Sequence, residues 1–160
     1  MVLFLLLAFM FMFPVQSSAQ TFKLQNLAAL RAVHVVVEDI GQDGKDLGIT
    51  EEDLKAHLIV LLRNKVPKLS VKASAWEYIY LNVTLNFSEV GERKVGFHGN
   101  VELEVVRPGT IEGIRGTTLL EVWKRGMLIG GPLNSVSMMV RENVERLVTL
   151  LAADWLQANP

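Results

Sequence analysis

Residues 77–87 read EYIYLNVTLNF, and the period-two alternation of this stretch decides the fold. Ile79, Leu81, Val83, Leu85 and Phe87 point to one side of an extended chain. Tyr78, Tyr80, Asn82, Thr84 and Asn86 point to the other. Alternation of this kind marks a strand with one face on a core and one face on solvent or a partner. The next residues, EVGERK (89–94), have the composition of a hairpin turn. Beyond them the pattern repeats: Val95, Phe97, Val101, Leu103 and Val105 are expected on the core side, and His98, Asn100, Glu102 and Glu104 outside. Gly99 falls on the apolar side, where a missing side chain marks a bulge or a close approach of backbones.

Upstream of this hairpin, Ala32 to Ile40 is rich in β-branched residues and apolar on both faces, which predicts a central strand. Gly41 to Gly48 (GQDGKDLG) reads as a turn-rich loop. A helix then starts at Thr50, with Asp53 three residues on as a short capping-box partner. Leu54, Leu58, Leu61 and Leu62 form its apolar stripe, and Pro67 stops it. Leu69 to Ala73 is a short strand or connector.

Downstream, Arg107 to Gly116 reads as a loop, and Thr117 to Lys124 as a strand. A turn is expected at Arg125-Gly126, after which Met127 to Gly130 either returns as a short strand or continues the same one past a kink. The last helix starts at Asn134 or Ser135 and carries the stripe Val136, Val140, Val144, Leu147, Leu151 and Trp155. The reading is α+β: a two-layer sandwich with a mostly antiparallel sheet of about four or five strands, two helices on one face, and element order β-α-β-β-β-β-α.

The chain opens on an apolar block, Val2 to Phe13, ended by Pro14 and the polar run Gln16-Ser17-Ser18. The block is too short to span a ~30 Å hydrocarbon layer and fits the apolar region of a secretory signal. Ser17 and Ala19 supply the small residues for a cut after Ala19, although no basic residue precedes the block. Residues 1–19 are therefore expected to be a signal peptide and 20–160 a single domain, periplasmic or secreted. The chain has no cysteine, which excludes disulfides, thiolate metal sites and thiol catalysis, and fits a bacterial envelope better than a eukaryotic exterior. Sixteen basic and seventeen acidic residues give a net charge of −1, with no basic cluster, which argues against nucleic acid as a partner.

Motifs for chemistry are sparse. His57 lacks the spacing of a helical metal site. His34 and His98, with Glu38 or Glu102, would make a cross-strand ligand set only if the fold brought them together. There is no Gly-x-Ser-x-Gly elbow, the acids of 41–48 lack calcium-loop spacing, and GMLIGG (126–131) lacks the Lys-Ser/Thr of a phosphate loop. No catalytic residue, metal or cofactor is assigned. The expected binding residues are Tyr78, Tyr80, Asn82, His98 and Asn100, because tyrosine is enriched in interfaces and all five share the outer face.

Three stretches, LGITEEDLKAHLIVLLRNKVP (47–67), EYIYLNVTLNF (77–87) and VRENVERLVTLLAADWLQANP (140–160), together resemble a group of small, uncharacterised bacterial exported proteins. That group pairs a capped helix with a Tyr-rich strand and closes on a helix ending in Asn-Pro. The resemblance implies no activity. The element order is also similar to small envelope domains such as the amino-terminal domain of the Tol-system translocation protein, an analogy of fold that supplies no site.

The expected function is that of an exported envelope accessory domain without catalysis, docking a protein through an exposed sheet face or edge. One alternative is a carrier of a small apolar ligand, lined by Leu58, Leu62, Val83, Leu103 and Val144. Another is a hydrolase-type enzyme using outer-face His and Glu, which needs His98 beside a carboxylate in a concave site.

Overall fold

A computed structural model describes residues 26–113 and 115–160; the expected signal peptide lies outside the described residues. The strands are β1 (Ala32–Val37), β2 (Ser70–Val71), β3 (Tyr78–Val90), β4 (Arg93–Gly109) and β5 (Thr118–Pro132). The helices are α1 (Gly41–Asp46), α2 (Glu51–Lys65) and α3 (Val136–Ala158). One five-stranded sheet runs in the order β2-β1-β3-β4-β5.

The sheet is mixed, and the expected antiparallel pairing holds for its long ladders but not for β1. β3, β4 and β5 form an antiparallel meander, while β1 lies parallel to both β2 and β3. Residues 72–77 carry the chain from one flank of β1 to the other: Lys72 N–H donates to Val33 O at 2.9 Å and His34 N–H to Glu77 O at 2.8 Å. β1 is therefore paired along both edges; Val33 and Val35 are buried on its core side, while His34 and Val36 on the other side are half-buried.

Four expectations need correction. Gly41–Asp46 is a short helix, not a loop, so the element order gains a helix after β1. β4 continues through Pro108, which stands opposite Leu119 near the start of β5. The turn expected at Arg125-Gly126 is absent, and Thr118–Pro132 is one strand with a bulge that leaves Val122 unpaired. Arg125 does not break the strand because its guanidinium sits over the Trp123 ring, 6.0 Å from the centroid, and 3.9 Å from Asp154 of α3. Val95 is exposed rather than core-facing, because the register shifts next to Ser88 and the hairpin end runs beyond the core.

The α2 and α3 stripes pack on the apolar sheet face into one continuous core. It joins Leu54, Leu58 and Leu62 to Val140, Val144, Leu147 and Leu151 over Ile79, Leu81, Val101 and Leu103. Trp155 is fully buried, and its indole N–H donates to Leu30 O at 3.1 Å. The C-terminal Asn159 then ties α3 to the lead-in. Its amide donates to Leu27 O and Trp155 O, both at 3.0 Å, and its Oδ1 accepts from Ala29 N–H at 3.1 Å and Arg31 Nη1 at 2.8 Å.

The start of α2 is capped by Thr50, whose hydroxyl accepts from Asp53 N–H at 3.2 Å. Glu51 accepts from Ile40 N–H at 3.2 Å and pairs with Lys45 at 2.9 Å. The Lys45 hydrogen bond comes first among the causes that lower the Glu51 pKa from about 4.5 to about 2. A carboxylate depressed in the folded state contributes stability above its unfolded value, and the contribution fades as pH falls toward the folded value. Glu51→Gln is therefore expected to lower Tm near neutrality. Its deficit against the parent should shrink as pH falls from about 4.5 toward about 2. Thermal melts across that range check this, and a pH-independent deficit contradicts it.

Candidate functional site

The polar face of the sheet is built by the even-numbered residues of β3 and β4, as their alternation requires. Tyr78 stands opposite Val106, Tyr80 opposite Glu104, Asn82 opposite Glu102, Thr84 opposite Asn100 and Asn86 opposite His98. β5 extends this face with Lys124, Gly126, Leu128 and Gly130, opposite Glu104, Glu102, Asn100 and His98. No described element covers these residues.

All five expected binding residues lie on this face, but they fall into three groups. At one end His34 stacks on Tyr78 with ring centroids 5.7 Å apart, and Tyr78 lies 5.6 Å from Tyr80. In the middle Asn82 donates to Glu38 at 2.6 Å and accepts from the Thr84 hydroxyl at 3.2 Å. Beside it Lys124 joins Glu104 at 2.6 Å and Glu102 at 3.4 Å. The Glu104 hydrogen bond is the leading cause that raises the Lys124 pKa above its ordinary value. At the far end His98 and Asn100 line a shallow groove of about 420 Å³ with Thr84, Asn86 and Leu128. Eight positions of strand separate Tyr78 from Asn86, the partner of His98, a span of about 27 Å.

This geometry bears on the chemistry. His34 and His98 stand at opposite ends of the sheet and cannot share an ion. Among the described residues no set of three or more His, Asp or Glu side chains could hold a metal. Glu102 and Glu104 are engaged by Lys124. His57 lies on α2, away from this face, with its Nε2 buried and without a hydrogen-bond partner among the described residues. The side chains expected to line a carrier pocket, Leu58, Leu62, Val83, Leu103 and Val144, are all packed inside the core. Concave space lies elsewhere: the outer groove, and a cleft of about 600 Å³ between α3 and Met127.

Sequence reasoning missed Leu128. Its side chain is 88% exposed, the most exposed of the large apolar residues described. The signal was present in the glycines at 126 and 130, which bracket it with period two. It was hidden by the turn expected at Arg125-Gly126. Among the described residues no helix is long and apolar enough to cross a membrane.

No protein-family model matches the chain, and no curated protein matches it in sequence. In structure it is similar to a hypothetical protein from Chlamydia trachomatis, with a TM-score of 0.50 and 9% identity over 79% of this chain and 98% of that one. It is also similar to PelC from Paraburkholderia phytofirmans, solved as a dodecamer, with a TM-score of 0.47 and 12% identity over 77% of this chain and 86% of that one. Rare lipoprotein B from Shewanella oneidensis overlays with a TM-score of 0.33 and 14% identity over 79% and 92% of the two chains. At 9% identity, what the chain shares with the chlamydial protein is a fold, an α+β domain with a five-stranded mixed sheet.

Proposed function

We propose that the chain is an exported cell-envelope accessory domain that docks a protein partner on the outer face of its sheet and carries out no reaction of its own. The observation that supports this is the open face itself, with an aromatic stack of His34, Tyr78 and Tyr80 at one end and, at the other, a largely apolar groove bordered by Asn86, His98, Asn100 and Leu128. Tyrosines offer large contact area at low side-chain entropy cost, and flanking amides supply hydrogen bonds with either polarity. Export is supported by the apolar block at residues 2–13, and the absence of cysteine then fits a bacterial envelope better than a eukaryotic exterior.

A photo-crosslinking residue at position 78, used in the native host envelope, is expected to capture one discrete partner. The same probe at Val60, exposed on α2, should not capture it. Tyr80→Ala should reduce the capture several-fold while its far-UV circular dichroism spectrum shows the fold intact. Equal capture from both positions, or equal recovery with Tyr80→Ala, contradicts the proposal.

A further inference from the structure

β5 is the last strand of the sheet, and no described element pairs with its outer side. Its two halves differ. Over Thr118–Arg125 the strand is blunted by the bulge at Val122 and by the charges of Glu121, Lys124 and Arg125. Over residues 126–131, GMLIGG, it carries no charge and no proline. Unblunted edges of this kind are templates for another strand.

The unblunted half reads almost the same in both directions about Leu128. Met127 and Ile129 are one position away, Gly126 and Gly130 two. Antiparallel pairing about a two-fold axis at Leu128 sets each Leu128 opposite its counterpart, Met127 opposite Ile129, and Gly126 opposite Gly130. Arg125 then meets Gly131 and Lys124 meets Pro132, so no like charges stand opposite one another. Directly opposed residues in an antiparallel pair share a face, so the two outer faces join and the two helical layers lie on the same side.

A second observation lies on the inner side of the same edge. Met127 lines the cleft of about 600 Å³ whose other wall is Glu142, Glu145, Arg146, Thr149 and Leu150 of α3. A wall carrying both signs is complementary to its own two-fold image, because the acids of one copy can face Arg146 of the other. We infer that a second copy of this chain docks on β5, joining two sheets into one continuous ten-stranded sheet. The inference goes beyond partner docking, since the Tyr78–Tyr80 end lies on β3, away from the axis.

Sedimentation equilibrium on the purified full chain is expected to give twice the chain mass. Leu128→Lys, which sets two ammonium groups face to face, should return it to one chain mass with an unchanged far-UV circular dichroism spectrum, because the exposed native side chain packs on little within its own chain. The chain has no native cysteine, so single cysteines report directly. Leu128→Cys places two thiols across the axis at a Cα spacing of about 4.5–5.5 Å, inside the range a disulfide spans. Leu119→Cys, also exposed, would stand about 60 Å from its counterpart. Oxidation should crosslink the first variant and leave the second as single chains. A single-chain mass at every concentration, an undiminished mass for Leu128→Lys, or equal crosslinking of the two cysteine variants overturns the inference. Tyr80→Ala should leave the mass unchanged, so loss of partner docking and loss of self-association are read separately.

Discussion

Gly99→Ala is expected to destabilise the protein by about 3 kcal/mol or more, the largest effect of any one-methyl change in the sheet. Gly99 stands in β4 between Leu85 of β3 and Ile129 of β5, so both its edges are paired. A Cβ built on it would run into Thr84 O and lie 3.2 Å from Leu85 Cα, both backbone atoms. No rotamer change relieves that contact; β3 and β4 must part or slide. Ordinarily Gly→Ala in a strand gains a few tenths of a kcal/mol or more by lowering unfolded-state entropy, so the sign of the effect is diagnostic. Gly130→Ala is the control, since its Cβ would meet Phe97 O at 3.2 Å, a contact that a small shift of the edge strand relieves. Urea melts of both variants check the prediction. A Gly99→Ala protein within about 0.5 kcal/mol of the parent would contradict the close approach of the two backbones.

Asn159→Ala is expected to cost about 2–4 kcal/mol. Here one side-chain amide uses both its donors and accepts two bonds, joining the end of α3 to Leu27, Ala29 and Arg31. The bonds to Ala29 and Arg31 are exposed and contribute least; those to Leu27 O and Trp155 O are half-buried and leave unsatisfied carbonyls when removed. Asn159→Asp keeps the acceptor and loses both donors, so it should fall between the parent and the alanine variant in high salt. Amide exchange at Ala29, whose N–H bonds the Asn159 side chain, should accelerate by at least about tenfold in Asn159→Ala. An unchanged exchange rate there would show that Leu27 and Leu30, both fully buried, hold the lead-in without help.

Much of the architecture was legible in the sequence because its elements are strongly periodic. The alternation of Ile79 to Phe87 and the leucine stripe of α2 each have one physical solution, and Gly99 on an apolar face signalled a close backbone approach. The parallel placement of β1 was not legible. Its sequence is apolar on both faces, which marks a central strand and says nothing about the direction of its neighbours. Arg125-Gly126 misled because charge and glycine together imitate a turn, whereas the guanidinium is accommodated by Trp123 and Asp154, a tertiary arrangement no local pattern reveals. The outer-face residues were found by alternation alone. Their division into an aromatic end, an ion-paired centre and a groove depends on cross-strand register, as does the standing of Leu128 at the edge.

The position of β1 also governs the timing of assembly. β1 leaves the ribosome before either strand that will flank it: Ser70 pairs with Ala32, and Tyr78 with His34 forty-four residues earlier. The β3–β5 meander needs only near neighbours and can close by itself, but the slot for β1 opens only when residues 70–81 are in place. Long-range parallel pairing is slow, and a β-branched segment with two bare edges is prone to wrong associations while it waits. The nascent chain thus carries a β-branched strand that is satisfied late, and a holdase that shields residues 32–37 should raise the yield of native protein.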